Sequence, residues 1–381
     1  MSFCCFSASA AGRGHPSQQD IDGSKNVMLF SYNELRAATK NFHASNKIGQ
    51  GGFGTVYKGT LKNGRQVAVK ALSTESRQGI QEFLTEIDVI TNVKHPNLVE
   101  LVGCCVQGNN RILVYEYVEN NSLDRALLGS KDKKLKLDWH NRSSVCMAVA
   151  SGLVFLHEEL DPHIVHRDIK ASNILLDKNL LPKIGDFGLA KLFPNNVTHL
   201  STRVAGTTGY LAPEYAMRGQ LTKKADIYSF GVLILEIVSG RSSAKSTRLG
   251  VQKFLLEWVW QLYEEGNLIE LVDPELEKPY PEEEVLRFMK VALFCTQAAA
   301  KKRPNMTQVL AMLSKQRRLN EKLLTPPGII QDMMAIGRGG LEKTNTDDLQ
   351  TPQKTSPCLS SQQSSAQASS APITVTEMLP R

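Results

Sequence analysis

His166-Arg167-Asp168-Ile169-Lys170-Ala171-Ser172-Asn173 is the stretch from which the rest of the chain can be interpreted. A loop with an aspartate and an asparagine five positions apart suits a base and a metal ligand. Asp168 is placed to accept a proton from a substrate hydroxyl, and Asn173 to bind Mg2+ through its amide oxygen. Thirteen residues after Asn173, Asp186-Phe187-Gly188 supplies a second hard oxygen ligand, Asp186, on a glycine-containing turn.

Working back towards the N-terminus, Gly49-Gln50-Gly51-Gly52-Phe53-Gly54 is a GxGxxG pattern. Alone it is more often a flexible turn than a phosphate loop. A dinucleotide-binding unit needs this loop to open into a helix. Here it opens into Thr55-Val56-Tyr57, a strand-like run. Strand–glycines–strand makes a flap whose backbone can lie over phosphates without a Cβ in the way. The Rossmann reading therefore fails. Lys62-Asn63-Gly64 then separates two β-rich runs, 55–59 and 66–70, and Asn-Gly is a strong hairpin signal.

Lys70 ends the second run. A lysine at a strand end is usually solvated, but this one lies 21 residues after Gly49, where an ammonium can reach the α/β-phosphates. It then needs a carboxylate. The next segment places Ile80, Phe83, Leu84, Ile87, Ile90 and Val93 at helical spacing. On that helix Glu86 falls at the edge of the apolar stripe and Glu82 points further towards solvent, so Glu86 is the expected partner. Two short strand-like runs follow, 98–102 and 112–117. Beyond Asn120 the pattern turns helical, with Asp138 as N-cap of a helix to about Glu159 and an almost wholly apolar, buried helix at 227–238.

The composition is consistent with this. The chain has 381 residues, 41% hydrophobic and 22% charged, enough for a sizeable core. No apolar run approaches the roughly 18–20 residues of a membrane span. The net charge of +7 is carried by residues 42–320, because the flanks at 1–41 and 321–381 cancel. A charge of that size points to an anionic ligand, and nucleic acid is not expected as a partner. Seven cysteines without metal spacing indicate a reducing compartment. Residues 351–371 hold seven Ser and four Gln, a composition unable to bury a core.

In this order and spacing the motifs do not arise by chance, and from 42 to 320 the sequence resembles a protein kinase. The signatures are GQGGFGTV, VAVK, HRDIKASN, DFG and Ala212-Pro213-Glu214. Asp226 and Arg303 match the family's buried-helix aspartate and the late arginine that pairs with the Glu214 position. The fold implied is α+β and two-lobed: a small β-rich N-lobe with one helix at 42–118 and a larger, mainly helical C-lobe at 119–320. The flanks are a largely disordered segment at 1–41 and a disordered Ser/Gln-rich tail at 321–381. Lys170 and the GTTGYLAPEY segment look like a Ser/Thr-specific enzyme using ATP and Mg2+. Lys170 would then stabilise charge on the transferred group. FSYNELRAATKNF and Leu113-Val114-Tyr115-Glu116-Tyr117 are similar to plant receptor-like kinases of the Pelle group. With neither ectodomain nor span in the sequence, the resemblance is to the receptor-like cytoplasmic type, near the cold-responsive plant kinases.

That resemblance implies further roles. Ile48, Val56 and the glycine loop would enclose ATP, Tyr115 would gate the back of the adenine pocket, and the backbone of Glu116 and Val118 would bond adenine. Arg167 would bind an activation-loop phosphate on Thr198, Ser201, Thr202, Thr207 or Thr208. Autophosphorylation is expected at 198–202, with Thr207 bonding the catalytic loop instead. Cys4 and Cys5 are candidates for S-acylation and peripheral attachment to the plasma membrane of an otherwise cytoplasmic protein, whereas Ser2 excludes N-myristoylation. Expected partners are protein substrates and membrane receptor kinases. The competing reading, a catalytically dead scaffold, conflicts with intact Lys70, Asp168, Asn173 and Asp186.

Overall fold

The structure, a computed structural model, describes residues 27–51, 54–73, 77–91, 93–129, 135–243, 246–248, 251–276, 278–329 and 374–376. These form two compact units. The first runs to Lys94 and resumes at Val99–Val118; the second takes His95–Leu98 and the residues from Glu119 onward.

The first unit is a six-stranded sheet with two helices. In chain order it contains β1 (Met28–Leu29), α1 (Tyr32–Ala38), β2 (Lys47–Gly51), β3 (Gly54–Thr60), β4 (Gln66–Leu72), α2 (Arg77–Ile90), β5 (Leu101–Gln107) and β6 (Asn110–Glu116). The strand order is β1-β5-β6-β4-β3-β2, antiparallel except where β1 pairs with β5. The expected hairpin joins β3 and β4, with Gly64 at φ +82. The β-branched residues of β4 alternate: Val67 and Val69 point into a core with Leu35, Cys105, Ile112 and Val114. Helix α2 packs on β4 and β6, with Phe83 and Ile90 fully buried. Each such side chain contributes about 1.5–3 kcal/mol of transfer free energy.

The second unit is mainly helical. Its first part holds α3 (Leu123–Leu128), α4 (Trp139–Val154) and the short strands β7 (His163–Val165), β8 (Ile174–Leu176) and β9 (Pro182–Ile184). Asp138 caps α4 by accepting the Asn141 amide at 2.8 Å, and a π-wound turn, Phe155–Glu159, continues it. Next come β10 (Lys191–Phe193), β11 (Leu200–Ser201), β12 (Ala205–Thr207), α5 (Pro213–Arg218), β13 (Gln220–Leu221) and α6 (Lys223–Ser239). β10 pairs with β7, β8 with β9 and β11 with β13. The remainder is a hairpin of β14 (Ser246–Arg248) and β15 (Val251–Lys253), then α7 (Leu255–Glu264), α8 (Glu282–Cys295) and α9 (Met306–Leu313). A last strand, β16 (Thr374–Thr376), runs parallel to β12.

Helix α6 is the axis of this unit and is buried at every position from Ala225 to Ser239. It packs against α4, α7 and α8. Gly231 permits the α8 approach, since a Cβ there would lie 2.7 Å from Cys295 Cβ and 2.9 Å from the Ala292 carbonyl. Thr222 caps its N-terminus through the Lys224 amide, and Gly240 ends it in the left-handed conformation.

Four expectations need correcting. Ordered structure starts before 42: Ser31 and Glu34 form a capping box on α1, and Leu35 lies in the sheet core. It also continues beyond 320, where the Gly328 amide donates to Thr296 O at 3.1 Å and Tyr228 Oη to Gly328 O at 2.7 Å. The run 98–102 is not one strand. The Ile184 amide takes Asn97 O at 2.8 Å and Leu98 bridges Ile184, so the ladder of β5 begins only at Leu101. Finally, Glu82 is buried rather than turned to solvent, because the cover over α2 extends past its apolar stripe.

Candidate active site

Within the first unit, Lys70 lies on β4 between Val56 of β3 and Leu113 of β6. That central register fixes its backbone on both sides. Its Nζ meets Glu86 Oε1 at 2.5 Å; Glu86 is fully buried and the lysine side chain is 15% exposed. Glu82 accepts instead from Gln78 Nε2 at 3.3 Å. The glycine loop is the turn between β2 and β3. Gly51 has nothing within 4 Å of a would-be Cβ, and Gly49 would meet only Val56. Gly49 and Gly51 thus leave the open backbone surface that a phosphate requires, whereas a Cβ at Gly54 would lie 2.5 Å from the Ala71 carbonyl oxygen. Ile48 and Val56 are half-buried, and exposed Gln50 accepts from Lys47 Nζ. Gly52 and Phe53 lie outside the described residues. Tyr115 and Val118 are buried, and the Tyr115 hydroxyl has no hydrogen-bond partner among the described residues. The Glu116 amide donates to Glu100 O at 3.1 Å, while its carboxylate accepts the Glu100 amide at 2.9 Å.

Within the second unit, the loop between β7 and β8 gathers the other candidates. Asp168 Oδ2 pairs with Lys170 Nζ at 2.7 Å and accepts from Asn173 Nδ2 at 3.0 Å. Asp168 Oδ1 accepts from Thr207 Oγ1 at 2.7 Å. Lys170 Nζ also donates to Thr207 Oγ1 at 2.8 Å, closing a ring of Asp168, Lys170 and Thr207. Asn173 Nδ2 also donates to Asp168 O at 2.9 Å, which commits the amide nitrogen and leaves the amide oxygen as an acceptor. Asp186 is exposed and follows Gly185, whose amide donates to Asn173 O at 2.8 Å. One carboxylate and one amide oxygen suit Mg2+, which keeps water and phosphate oxygens in its shell. No group of three or more His, Cys, Asp and Glu among the described residues could hold a metal by itself.

Two non-glycine residues here adopt the left-handed conformation, Arg167 at φ +71 and Asp186 at φ +62. Such backbone costs about 1–3 kcal/mol per residue and persists only where its surroundings fix it. For Arg167 the fixture is Asp226 of α6. Its carboxylate accepts the Arg167 amide at 2.8 Å, the His166 amide at 2.7 Å and His157 Nε2 at 2.8 Å. Burial alone would push Asp226 up, yet the His157 bond and these amides hold it below the usual aspartate value. His166 Nε2 donates to Gly185 O at 3.1 Å and its ring meets Phe187 edge-on at 4.7 Å, tying the loop to the segment that carries Asp186.

The Arg167 side chain reaches Leu189 O at 2.9 Å, Arg203 O at 2.8 Å and Tyr215 Oη through Nε at 3.1 Å. Thr198, Ser201 and Thr208 are exposed and Thr202 is half-buried, whereas Thr207 is buried in the Asp168 ring. Glu214 and Arg303 form two parallel bonds of 2.8 Å each. Cys4 and Cys5 lie outside the described residues.

Sequence reasoning overlooked three residues. Tyr210 Oη, which receives the Ala171 amide at 3.3 Å, donates to the fully buried Glu236, whose other oxygen takes the Ser243 amide at 2.6 Å. Desolvation raises Glu236 to about 7. The signal was available: Glu236 is the single carboxylate within the mainly apolar run 227–238. Tyr215, the third, had no such mark.

A family model of protein tyrosine and serine/threonine kinases matches residues 42–313. The chain is 54% identical over 359 residues to Cold-responsive protein kinase 1 of Arabidopsis thaliana, and the match covers 92% of each. Two probable LRR receptor-like serine/threonine-protein kinases of the same plant are 55% identical over 298 residues and 54% identical over 304. Those matches cover 78% and 80% of this chain but 29% of each relative, so the chain spans under a third of their length.

Proposed function

The chain belongs to the protein tyrosine and serine/threonine kinase family, and from that membership we propose how its residues divide the transfer of a γ-phosphoryl group from ATP to a protein hydroxyl. It is a serine/threonine protein kinase with plant signalling relatives, and the family uses ATP and Mg2+ in general.

Phosphoryl transfer depends on positioning and charge neutralisation. In the first unit, the glycine-loop amides of 49–54, between Ile48 and Val56, cover the triphosphate. Lys70, steadied by Glu86, neutralises the α/β-phosphates. Tyr115 limits the depth of the adenine pocket, and the backbone of Glu116 and Val118 bonds the base. In the second unit, Asn173 and Asp186 would hold Mg2+, which would supply charge neutralisation to the triphosphate. Asp168 orients the incoming hydroxyl and accepts its proton, and Lys170 stabilises the transferred group. Thr207 keeps Asp168 and Lys170 in one ring. Arg167 anchors the activation segment, and Thr198, Ser201, Thr202 and Thr208 are the acceptors through which phosphorylation charges it. S-acylation of Cys4 and Cys5 would attach the protein to the plasma membrane beside receptor kinases, since two chains anchor stably where one does not. Among the described residues no helix is long and apolar enough to cross a membrane.

The observation that supports this most is the Asp168 carboxylate, held at 2.7 Å by both Lys170 and Thr207 with Asn173 alongside. The test is incubation of the full chain with Mg2+, γ-labelled ATP and casein, followed by phosphoamino-acid analysis. Label on serine and threonine is expected; absence of transfer, or label on tyrosine alone, overturns the proposal. Release of the protein from membranes by hydroxylamine tests the acylation, and an unchanged distribution of the Cys4→Ser/Cys5→Ser protein contradicts it.

A further inference from the structure

Thr325-Pro326-Pro327-Gly328 follows the region that the family model matches, 42–313. It folds back as a strap along residues 296–298, just after α8. The Ala298 amide donates to Pro326 O at 3.2 Å, the Gly328 amide donates to Thr296 O at 3.1 Å, and Gln297 bridges Pro327 in antiparallel fashion. Thr325 Oγ1 adds a bond to Gln297 Oε1 at 3.0 Å. The two prolines have fixed φ and no amide N–H to satisfy, which suits a short strap outside any sheet.

The carbonyls of 297 and 298 serve Arg303. Its Nε donates to Gln297 O at 2.8 Å and its Nη2 to Ala298 O at 3.3 Å, while both Nη groups hold Glu214. The end of the strap reaches the same place directly. Gly328 is buried, and a Cβ there would lie 2.6 Å from Pro213 Cγ and 3.0 Å from Ala298 Cα. Pro213 and Glu214 open α5, a helix of 6 residues whose N-cap, Ala212, makes no side-chain bond, so its start depends on support from outside. The Gly328 carbonyl takes Tyr228 Oη at 2.7 Å, and the next residue on α6, Ser229, donates to Tyr210 O at 2.7 Å. Adjacent hydroxyls of one buried helix therefore hold the strap and the stretch that runs from Thr207 to α5.

We propose that Gly328 is a positioning residue: it seats the strap against Pro213 and so fixes the far end of segment 207–212. The near end of that segment carries Thr207, whose hydroxyl donates to Asp168 at 2.7 Å. The inference rests on the kinase reading above and goes beyond it, since it makes transfer depend on residues after 313. The residues bonded by the strap, Tyr228, Thr296, Gln297 and Ala298, are separate from those assigned to ATP and Mg2+. A displaced strap therefore alters how Asp168 meets a protein hydroxyl and leaves nucleotide binding unchanged. A shift of about 1 Å transmitted from outside the site is enough to slow a transfer reaction.

The test uses the full chain as wild type, Gly328→Ala and Tyr228→Phe. The first variant crowds Pro213 and Ala298; the second removes one hydroxyl and keeps the ring against Arg303. Initial rates are measured over ranges of casein and ATP with Mg2+, each normalised to the protein that binds ATP, with ATP affinity and thermal midpoint alongside. For Gly328→Ala, kcat/KM for casein should fall about tenfold while ATP affinity stays within about twofold. Tyr228→Phe should change in the same direction by about threefold, and it decides the matter if Gly328→Ala fails to fold. Unchanged kcat/KM for casein in the folded variants overturns this inference and leaves the kinase reading standing. So does a loss that vanishes on normalisation, or one matched by an equal loss of ATP affinity, since either is mere destabilisation. No transfer by wild type overturns the kinase reading, and this inference with it.

Discussion

In the first unit the candidate cation, Lys70, sits on a regular ladder between two strands and has Glu86 at 2.5 Å. In the second unit Asp168 and Asp186 sit on irregular backbone, with left-handed residues at Arg167 and Asp186 themselves. There the fixture is a set of buried polar groups hung on α6: Asp226, Glu236 and, through Tyr210, the Ala171 amide. A sheet fixes a residue by register, so one further bond suffices. A loop must be fixed by side chains, and each must be satisfied because an unpaired buried polar group costs about 1–3 kcal/mol.

The largest effect that would break this contrast is on activity. Lys70→Met should lower kcat/KM by about a thousandfold, in line with preorganised charge stabilisation, while the thermal midpoint changes little because the ladder remains. Glu86→Gln should follow it with a smaller loss. A Lys70→Met protein that unfolds would show that the sheet does not hold this position by register. Next comes stability in the second unit. Glu214→Ala leaves the fully buried Arg303 side chain uncompensated, and urea unfolding should report a loss of about 3–5 kcal/mol. A loss under 1 kcal/mol would mean the pair is replaceable.

Glu236 sharpens the comparison through pH. Its folded value is raised by desolvation to about 7, against 4.5 as reference. Between those values the folded protein holds a proton that the unfolded chain has lost. Stability from this group is full below about pH 4.5 and is lost as pH rises through about 7, by at most about 1.4 kcal/mol per unit. Glu236→Gln should flatten that part of the urea-midpoint profile; an unchanged slope counts against it. The smallest effect belongs to the exposed Arg65–Glu100 pair of the first unit, with side chains 44% and 37% exposed. Arg65→Ala should change stability by under about 1 kcal/mol.

The same contrast explains what the sequence could reveal. The β3–β4 hairpin, α2, the α4 cap and the buried α6 all declare themselves by period, by Asn-Gly or by a capping aspartate. Lys70 and its partner Glu86 followed from that geometry. The residues of the loop 166–173 were legible as a motif, although their mutual contacts were not. Tyr215, Tyr210 and Glu236 act through side-chain hydrogen bonds that join separate segments, and no periodicity records such bonds. The error at Glu82 has a related cause: an apolar stripe shows which face of a helix is greasy, and the covering elements decide how far burial extends. The start of β5 shifted because backbone bonds from Ile184 captured Asn97, a contact between residues 87 apart in sequence.

Asp168 carries the central step of the proposed chemistry. Initial rates of γ-phosphoryl transfer to casein should be measured for wild type and Asp168→Asn, with ATP affinity and thermal midpoint in parallel. A fall in kcat of about 10²–10⁴-fold is expected for the variant, with ATP binding and folding retained. An Asp168→Asn protein that transfers phosphate at the wild-type rate would contradict this role of Asp168.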